Sequence, residues 1–205
     1  VADLAYNKPD YIIARDSYQE LAGITENTTL KLYALTQLTR TGHMLSDDEL
    51  VIRQATAVLS NPKLTPETMN EIRSYRAKAY MNNARNDEAR NDLQVLSKDT
   101  RNMYGAEAKY LLADCYFQLG SSDLAEQEIM SFTQMQTSQQ YWLAKSLILL
   151  SDINVAREEL FQAKQYLLAL RDNYQQQDDI QKIIADKLAA IEEMESNVEE
   201  EEAVL

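Results

Sequence analysis

The stretch Tyr110–Ile129, YLLADCYFQLGSSDLAEQEI, decides how the chain folds, because its pattern of small and aromatic residues recurs along the sequence. Ala113 and Tyr116 are three residues apart, so they share one face of a helix. Gly120 is typical of a helix end and a tight turn. Ala125 follows five residues later, in a second amphipathic segment. The stretch therefore predicts one helix, a turn and a second helix.

Three other segments carry this pattern at offsets of 36 to 38 residues. The positions of the first small residue are Thr39, Ala77, Ala113 and Ser151. The aromatic position is occupied by Tyr80 and Tyr116 in two of the copies, and by Gly42 and Asn154 in the first and the last. The turn positions are Ser46, Ala84, Gly120 and Glu158, and the positions of the second small residue are Val51, Ala89, Ala125 and Ala163. A half-copy precedes them in ARDSYQEL, with Ala14, Tyr18 and Leu21. Internal repetition at such a period predicts an array of similar units.

The composition favours an all-α fold. The 205 residues include only four glycines and three prolines, and strands and hairpins need such residues at their turns. Ala, Leu, Glu, Gln, Lys and Arg, which form helices readily, fill the chain instead. The predicted helices lie near 10–23, 28–44, 47–60, 66–83, 86–98, 103–119, 122–135, 139–156 and 160–174, with a final helix after them.

A small residue, an aromatic, a glycine and an alanine at a period in the mid-thirties resemble the tetratricopeptide repeat (TPR). The resemblance covers roughly residues 10–175. It implies an all-α, right-handed superhelical solenoid of antiparallel helix pairs, with about ten helices and a C-terminal capping helix. The spacing in AEAKYLLADCYFQLG is similar to that of the large multi-repeat TPR proteins of bacterial cell envelopes.

The C-terminal region predicts a cap and a tail. Apolar residues from Ile180 to Ile191 keep a 3,4 spacing that is broken only by Lys187, and such a helix would cover the exposed end of the last pair. Seven acidic residues lie in the last fourteen. We therefore expect residues 1–177 to form the TPR-like solenoid, 178–197 to form a capping helix of the same domain, and 198–205 to form an acidic tail.

Charge and motifs exclude several functions. The net charge of −13, without a basic patch, argues against nucleic acid as a partner. No apolar run approaches the ~18 residues of a membrane span, so we expect no direct membrane insertion. Cys115 and His43 are each the only residue of their type and lie two repeats apart, so we expect no catalytic pair, metal site or cofactor. The start Val-Ala-Asp leads us to expect a mature product or an excised fragment.

The resemblance implies a non-enzymatic scaffold that binds a protein or peptide, of a kind that the sequence does not name. Two other functions stay open: an oligomerisation or structural segment of a longer cell-envelope protein, which would make a homo-oligomer, and, more remotely, an enzyme. The implied location is the cell envelope or periplasm, with the cytoplasm as the alternative.

The resemblance also implies that the first helices of the pairs line a concave groove. In each of them the small residue faces the paired helix, and helical geometry turns nearby positions towards the groove. Their mixture of aromatic and basic side chains suits an extended peptide of some acidic character. The predicted groove residues are Tyr33, Thr36, Arg40, His43, Ser74, Lys78, Met81, Tyr110, Asp114, Phe117, Lys145, Ile148 and Asp152.

Overall fold

The computed structural model describes the backbone of residues 1–8 and 10–204, and the side chains of these residues up to 197. All regular structure in this part of the chain is α-helical, as predicted. The helices are α1 (Ala2–Asn7), α2 (Tyr11–Ile24), α3 (Thr28–Met44), α4 (Asp48–Leu59), α5 (Pro66–Asn82), α6 (Asn86–Leu96), α7 (Met103–Gln118), α8 (Ser122–Gln134), α9 (Gln140–Ala156), α10 (Leu160–Asn173) and α11 (Ile180–Val204). The sequence did not predict α1, because its six residues carry no capping signal.

The helices pack in series within two compact units, Val1–Lys98 and Asp99–Leu205. In the first unit the pairs are α1 with α2, α3 with α4 and α5 with α6, and each pair packs on the next. In the second unit α7 pairs with α8 and α9 with α10, and α11 packs on α9 and α10. Each unit is therefore a TPR-like stack of helix pairs. The division into residues 1–177, 178–197 and 198–205 stays a prediction, and Leu205 lies outside the described residues.

The turn between the two helices of a pair has the same backbone conformation in all four repeats. The turn residue has a positive φ in each case: 54° at Ser46, 55° at Ala84, 73° at Gly120 and 64° at Glu158. Glycine adopts this left-handed conformation without strain, whereas other residues do so at a cost. Three repeats thus keep the turn although they lack the glycine that favours it.

The small residues mark where paired helices come close. The hydroxyl of Ser151 in α9 donates a hydrogen bond to the backbone oxygen of Ala163 in α10, at 3.0 Å. These are the two small positions of the last repeat. In the repeat before it, Ala113 and Ala125 are both completely buried. A larger side chain at such a position has no room unless the helices separate.

The first repeat departs from the pattern at two positions that compensate for each other. Glycine stands at the aromatic position, Gly42, and the larger valine stands at the second small position, Val51. A Cβ atom on Gly42 would lie 3.1 Å from the Cγ2 atom of Val51. The two helices therefore keep a close approach because the volume lost on α3 is filled from α4.

The apolar face predicted for the last helix is buried in the second unit. Ile180 and Ile184 of α11 are completely buried, and they pack in one cluster with Leu167 and Leu170 of α10. Leu188 and Ile191 continue the same face. Burial of these side chains provides a large part of the apolar contact that holds α11 to the helix pair before it.

The left-handed turns predict opposite effects of two substitutions. Gly120→Ala should lower the free energy of unfolding by about 1 kcal/mol, and Ala84→Gly should raise it by a similar amount. Among the described residues, and apart from its two chain neighbours, no atom lies within 4 Å of a Cβ built on Gly120, so the cost there is one of conformation and not of a clash. Chemical denaturation of each variant measures the change.

The matched control is Ala57→Gly, at an exposed position within α4. Its φ is not positive, so glycine there should destabilise the protein by roughly 0.5–1 kcal/mol. If Ala84→Gly proves as destabilising as Ala57→Gly, the turn residues do not carry the conformational cost that we assign to them.

Candidate functional site

Most of the predicted groove residues lie on two faces, one in each unit. The α3–α5 face consists of Tyr33, Gln37, Arg40 and His43 of α3 with Glu71 and Tyr75 of α5. The α7–α9–α11 face consists of Tyr110 and Asp114 of α7, Tyr141, Trp142, Lys145 and Asp152 of α9, and Lys187 of α11. In each face the side chains of consecutive first helices contact one another.

On the α3–α5 face the charge of Arg40 is compensated within the unit. Its guanidinium donates two hydrogen bonds to the carboxylate of Glu71, at 2.8 and 2.7 Å, and a third to the side-chain oxygen of Gln37 at 2.9 Å. This bidentate geometry is the strongest form of ion pair between side chains. Arg40 therefore holds α3 to α5 and has little capacity left for an acidic partner.

His43 and Tyr75 form the aromatic part of the same face. Their rings stack with centroids 4.1 Å apart and an angle of 20° between the planes. The sequence prediction placed His43 on this face but did not identify the ring that it contacts. The stack joins the C-terminal end of α3 to the middle of α5.

At the other end of α3, the first helix α1 borders the face. The hydroxyl groups of Tyr18 and Tyr33 both donate to one carboxylate oxygen of Asp3, at 2.6 and 2.5 Å. These two hydrogen bonds, that of Tyr18 first, lower the pKa of Asp3 from its ordinary value. Tyr33, which is 40% exposed, is thus fixed in place by α1.

The aromatic side chains of the α7–α9–α11 face form a stacked platform. The rings of Tyr110 and Trp142 are 5.7 Å apart between centroids, with an interplanar angle of 26°. The ammonium group of Lys145 lies 5.6 Å from the centroid of Tyr110, within the range of a cation–π contact. Tyr141 meets Trp142 edge to face, with centroids 5.1 Å apart. All four side chains are half-buried, so part of each remains accessible.

Two carboxylates on this face have different surroundings. Asp152 forms an ion pair with Lys187 of α11 at 2.5 Å. Asp114 accepts a hydrogen bond from the side chain of Gln118 at 2.8 Å, and its charge interacts with that of Lys145. Burial is the main cause that raises the pKa of Asp114. Burial, followed by the charges of Asp114 and Asp152, raises the pKa of Tyr110 to about 12.

Several predicted groove residues lie elsewhere or offer less surface. Thr36, Ser74 and Ile148 are buried, with 6%, 3% and 4% of their surface exposed. The hydroxyl of Thr36 donates back to the Leu32 carbonyl of its own helix, and Ile148 belongs to the core that α11 covers. The remaining predicted groove residues, Lys78, Met81 and Phe117, are half-buried and belong to neither of the two faces. The role of all these residues in binding stays a prediction.

Several residues of the two faces were not predicted, although the sequence contains a signal for two of them. Trp142 lies 38 residues after Tyr104, so the repeat itself places an aromatic at the start of two consecutive first helices. Lys187 interrupts the apolar spacing of the last helix, and the structure explains the interruption by the ion pair with Asp152. No comparable signal distinguished Glu71 or Tyr75, whose contacts depend on how neighbouring helices align.

The described residues contain no cluster of three or more His, Cys, Asp or Glu side chains that could hold a metal ion. Cys115, the only cysteine, is completely buried. None of the helices, over their described length, is both long and apolar enough to cross a membrane. The two faces offer aromatic rings, hydrogen-bonding groups and single charges, which is the chemistry of a binding surface.

A solved structure of a tetratricopeptide repeat protein from Parabacteroides merdae is similar to this chain. The two are 16% identical with a TM-score of 0.42, and the match covers 90% of this chain and 80% of that one. No protein-family model and no curated protein matches the sequence. The fold assignment rests on the helix pairs and turns described above.

The surroundings of Asp114 predict its titration. Because burial raises the pKa of Asp114, the folded protein binds the proton of this carboxyl group more tightly than the unfolded chain does. The contribution of Asp114 to stability should therefore fall as the pH rises from the unfolded to the folded pKa, and stay constant above that. Carbon-detected NMR of the carboxyl group measures the midpoint, which we expect above the ordinary value for aspartate.

Two variants distinguish the groups that shift the pKa of Asp114. Gln118→Ala removes the hydrogen bond that favours the ionised form, so it should move the midpoint further up. Asp152→Asn removes a like charge, so it should move the midpoint down. A midpoint at or below the ordinary value in the native protein would mean that Asp114 is better solvated than its position indicates.

Proposed function

We propose that this chain is a protein-interaction scaffold, and that it binds a polypeptide partner on the α7–α9–α11 face. The observation that carries the proposal is the stack of Tyr110 on Trp142 with Lys145 beside it. These three side chains come from two consecutive first helices, Tyr110 contacts both of the others, and all three remain partly accessible. Tyr and Trp are among the residues that most often dominate the energy of protein interfaces.

The rigidity of the platform favours binding. A side chain that is already fixed by its neighbours loses little conformational entropy when a partner covers it. Tyr110 and Trp142 are large, have only two side-chain torsions each, and are held by stacking. A partner would therefore gain the burial of aromatic surface without having to order it.

The charges on this face favour a polypeptide of mixed character. Asp114 and Asp152 are balanced by Lys145 and Lys187, so the face has no excess of either sign. The carboxylate of Asp114 accepts a hydrogen bond from Gln118 and can accept further hydrogen bonds from backbone or side-chain N–H groups. An extended peptide offers both N–H donors and apolar side chains to such a surface.

The α3–α5 face is the weaker candidate for direct contact. The charge of Arg40 is paired with Glu71, and Tyr33 is bound to Asp3 of α1. These contacts fix the helices of the first unit and leave fewer unsatisfied groups. We infer that Arg40 positions the helices of the first unit and does not contact the partner directly.

The test starts from a partner isolated with the full chain from its host and reduced to the peptide that binds. Tyr110→Ala should cost about 1 kcal/mol or more, so the Kd should rise at least fivefold. Lys145→Glu should also weaken binding, because it removes the cation–π contact with Tyr110 and places a second negative charge beside Asp114. For a peptide that lacks tryptophan, the emission of Trp142, the only tryptophan in the chain, gives a direct readout on this face.

Met130→Ala is the matched control. Met130 is 42% exposed on the second helix α8 of the same unit. This variant should leave the Kd unchanged within twofold, and thermal unfolding should show that all three variants stay folded. If Tyr110→Ala and Lys145→Glu bind as the native chain does, the α7–α9–α11 face is not the binding site. If only a second copy of the chain is captured, the segment serves oligomerisation instead.

A further inference from the structure

The second unit has a groove outside the α7–α9–α11 face, with a volume of about 860 Å³. It lies where the α9–α10 turn and the start of α10 approach the later part of α11. Its apolar lining comes from Val155, Leu160, Phe161 and Met194. Phe161 is 68% exposed and Met194 is 42% exposed, so the groove presents large apolar side chains to solvent.

The position of Phe161 is unusual within the repeat. The equivalent residues in the three earlier pairs, at offsets of 36 to 38, are Glu49, Asp87 and Asp123. An acidic residue at the start of a helix interacts favourably with the helix dipole, and α4, α6 and α8 all have one there. The first turn of α10 has none. The repeat architecture therefore gives no reason for an exposed phenylalanine at this position.

The rim of the groove is acidic. Glu158, Glu159 and Glu195 line it together with the apolar side chains. Glu195 is paired with Lys164 at 2.8 Å, whereas Glu158 and Glu159 make no ion pair within 4 Å among the described residues. The nearby Arg157 forms its ion pairs with Glu126 and Asp123, and the charge of Glu159 acts on it more weakly. Besides Glu195, the last fourteen residues of the sequence contain six further acidic residues.

We propose that this groove binds a cationic amphipathic segment of a partner polypeptide. An aliphatic or aromatic side chain of that segment packs against Phe161 and Met194, and flanking Lys or Arg side chains face Glu158 and Glu159. The charge of the rim favours a basic segment over a second copy of this chain as the occupant of the groove. A second copy of this chain carries a net charge of −13 and is repelled by the acidic rim, while a basic segment is attracted.

The probe is a labelled, 14-residue helical peptide with leucine along one face and lysine on the other. Its counterpart has glutamate in place of every lysine. Fluorescence anisotropy with the full chain should show binding of the lysine peptide, weakened by added salt, and no binding of the glutamate peptide. Phe161→Ala should raise the Kd at least tenfold, and the double variant Glu158→Gln, Glu159→Gln should raise it about threefold with a smaller salt dependence.

Two controls locate the site. Leu124→Ala removes another exposed apolar side chain from the first turn of a second helix, where 44% of Leu124 is exposed, and Tyr110→Ala alters the α7–α9–α11 face. Both should leave the Kd within twofold of the native value. The proposal is overturned if the lysine peptide does not bind, if the glutamate peptide binds equally well, or if Phe161→Ala has no more effect than Leu124→Ala. Sedimentation showing a dimer that Phe161→Ala dissociates would also overturn it, in favour of a second copy.

Discussion

The close approach of two small residues holds each helix pair together, and it fixes which sides of the helices remain accessible. Ser151 and Ala163 show the contact directly, since a hydrogen bond crosses between the helices at these positions. The paired helix covers the side of the first helix that carries the small residue. In the first repeat glycine stands at the aromatic position, Gly42, and valine at the second small position, Val51, so the larger side chain at this contact comes from α4 and not from α3.

This packing leaves the first helices in contact through larger polar and aromatic side chains. Arg40 reaches Glu71 in the first unit, and Tyr110 reaches Trp142 in the second. Such contacts join one helix pair to the next within each unit, and in our proposal those of the second unit also present fixed side chains to a partner. The difference between the units lies in how fully those side chains are satisfied: Arg40 is paired, whereas Asp114 retains capacity to accept hydrogen bonds.

The repeat register could be predicted from the sequence because it depends on local geometry. The predicted helices near 28–44 and 66–83 correspond to α3 (Thr28–Met44) and α5 (Pro66–Asn82), and the four turn positions share one backbone conformation. Accessibility was harder to predict, because it depends on the neighbouring pair as well as on the helix itself. Thr36 and Ile148 were placed on the open face by helical geometry alone, and both are buried by other parts of their units.

The most direct measurement of the central claim, that a polypeptide binds on the α7–α9–α11 face, is photo-crosslinking from defined positions in the host. A photoreactive phenylalanine analogue replaces Tyr110 in one form of the chain and Met130, on the second helix α8, in another. We expect a covalent adduct with one partner polypeptide from position 110 and none from position 130. An adduct from position 130 alone, or no polypeptide adduct from position 110, would contradict the claim.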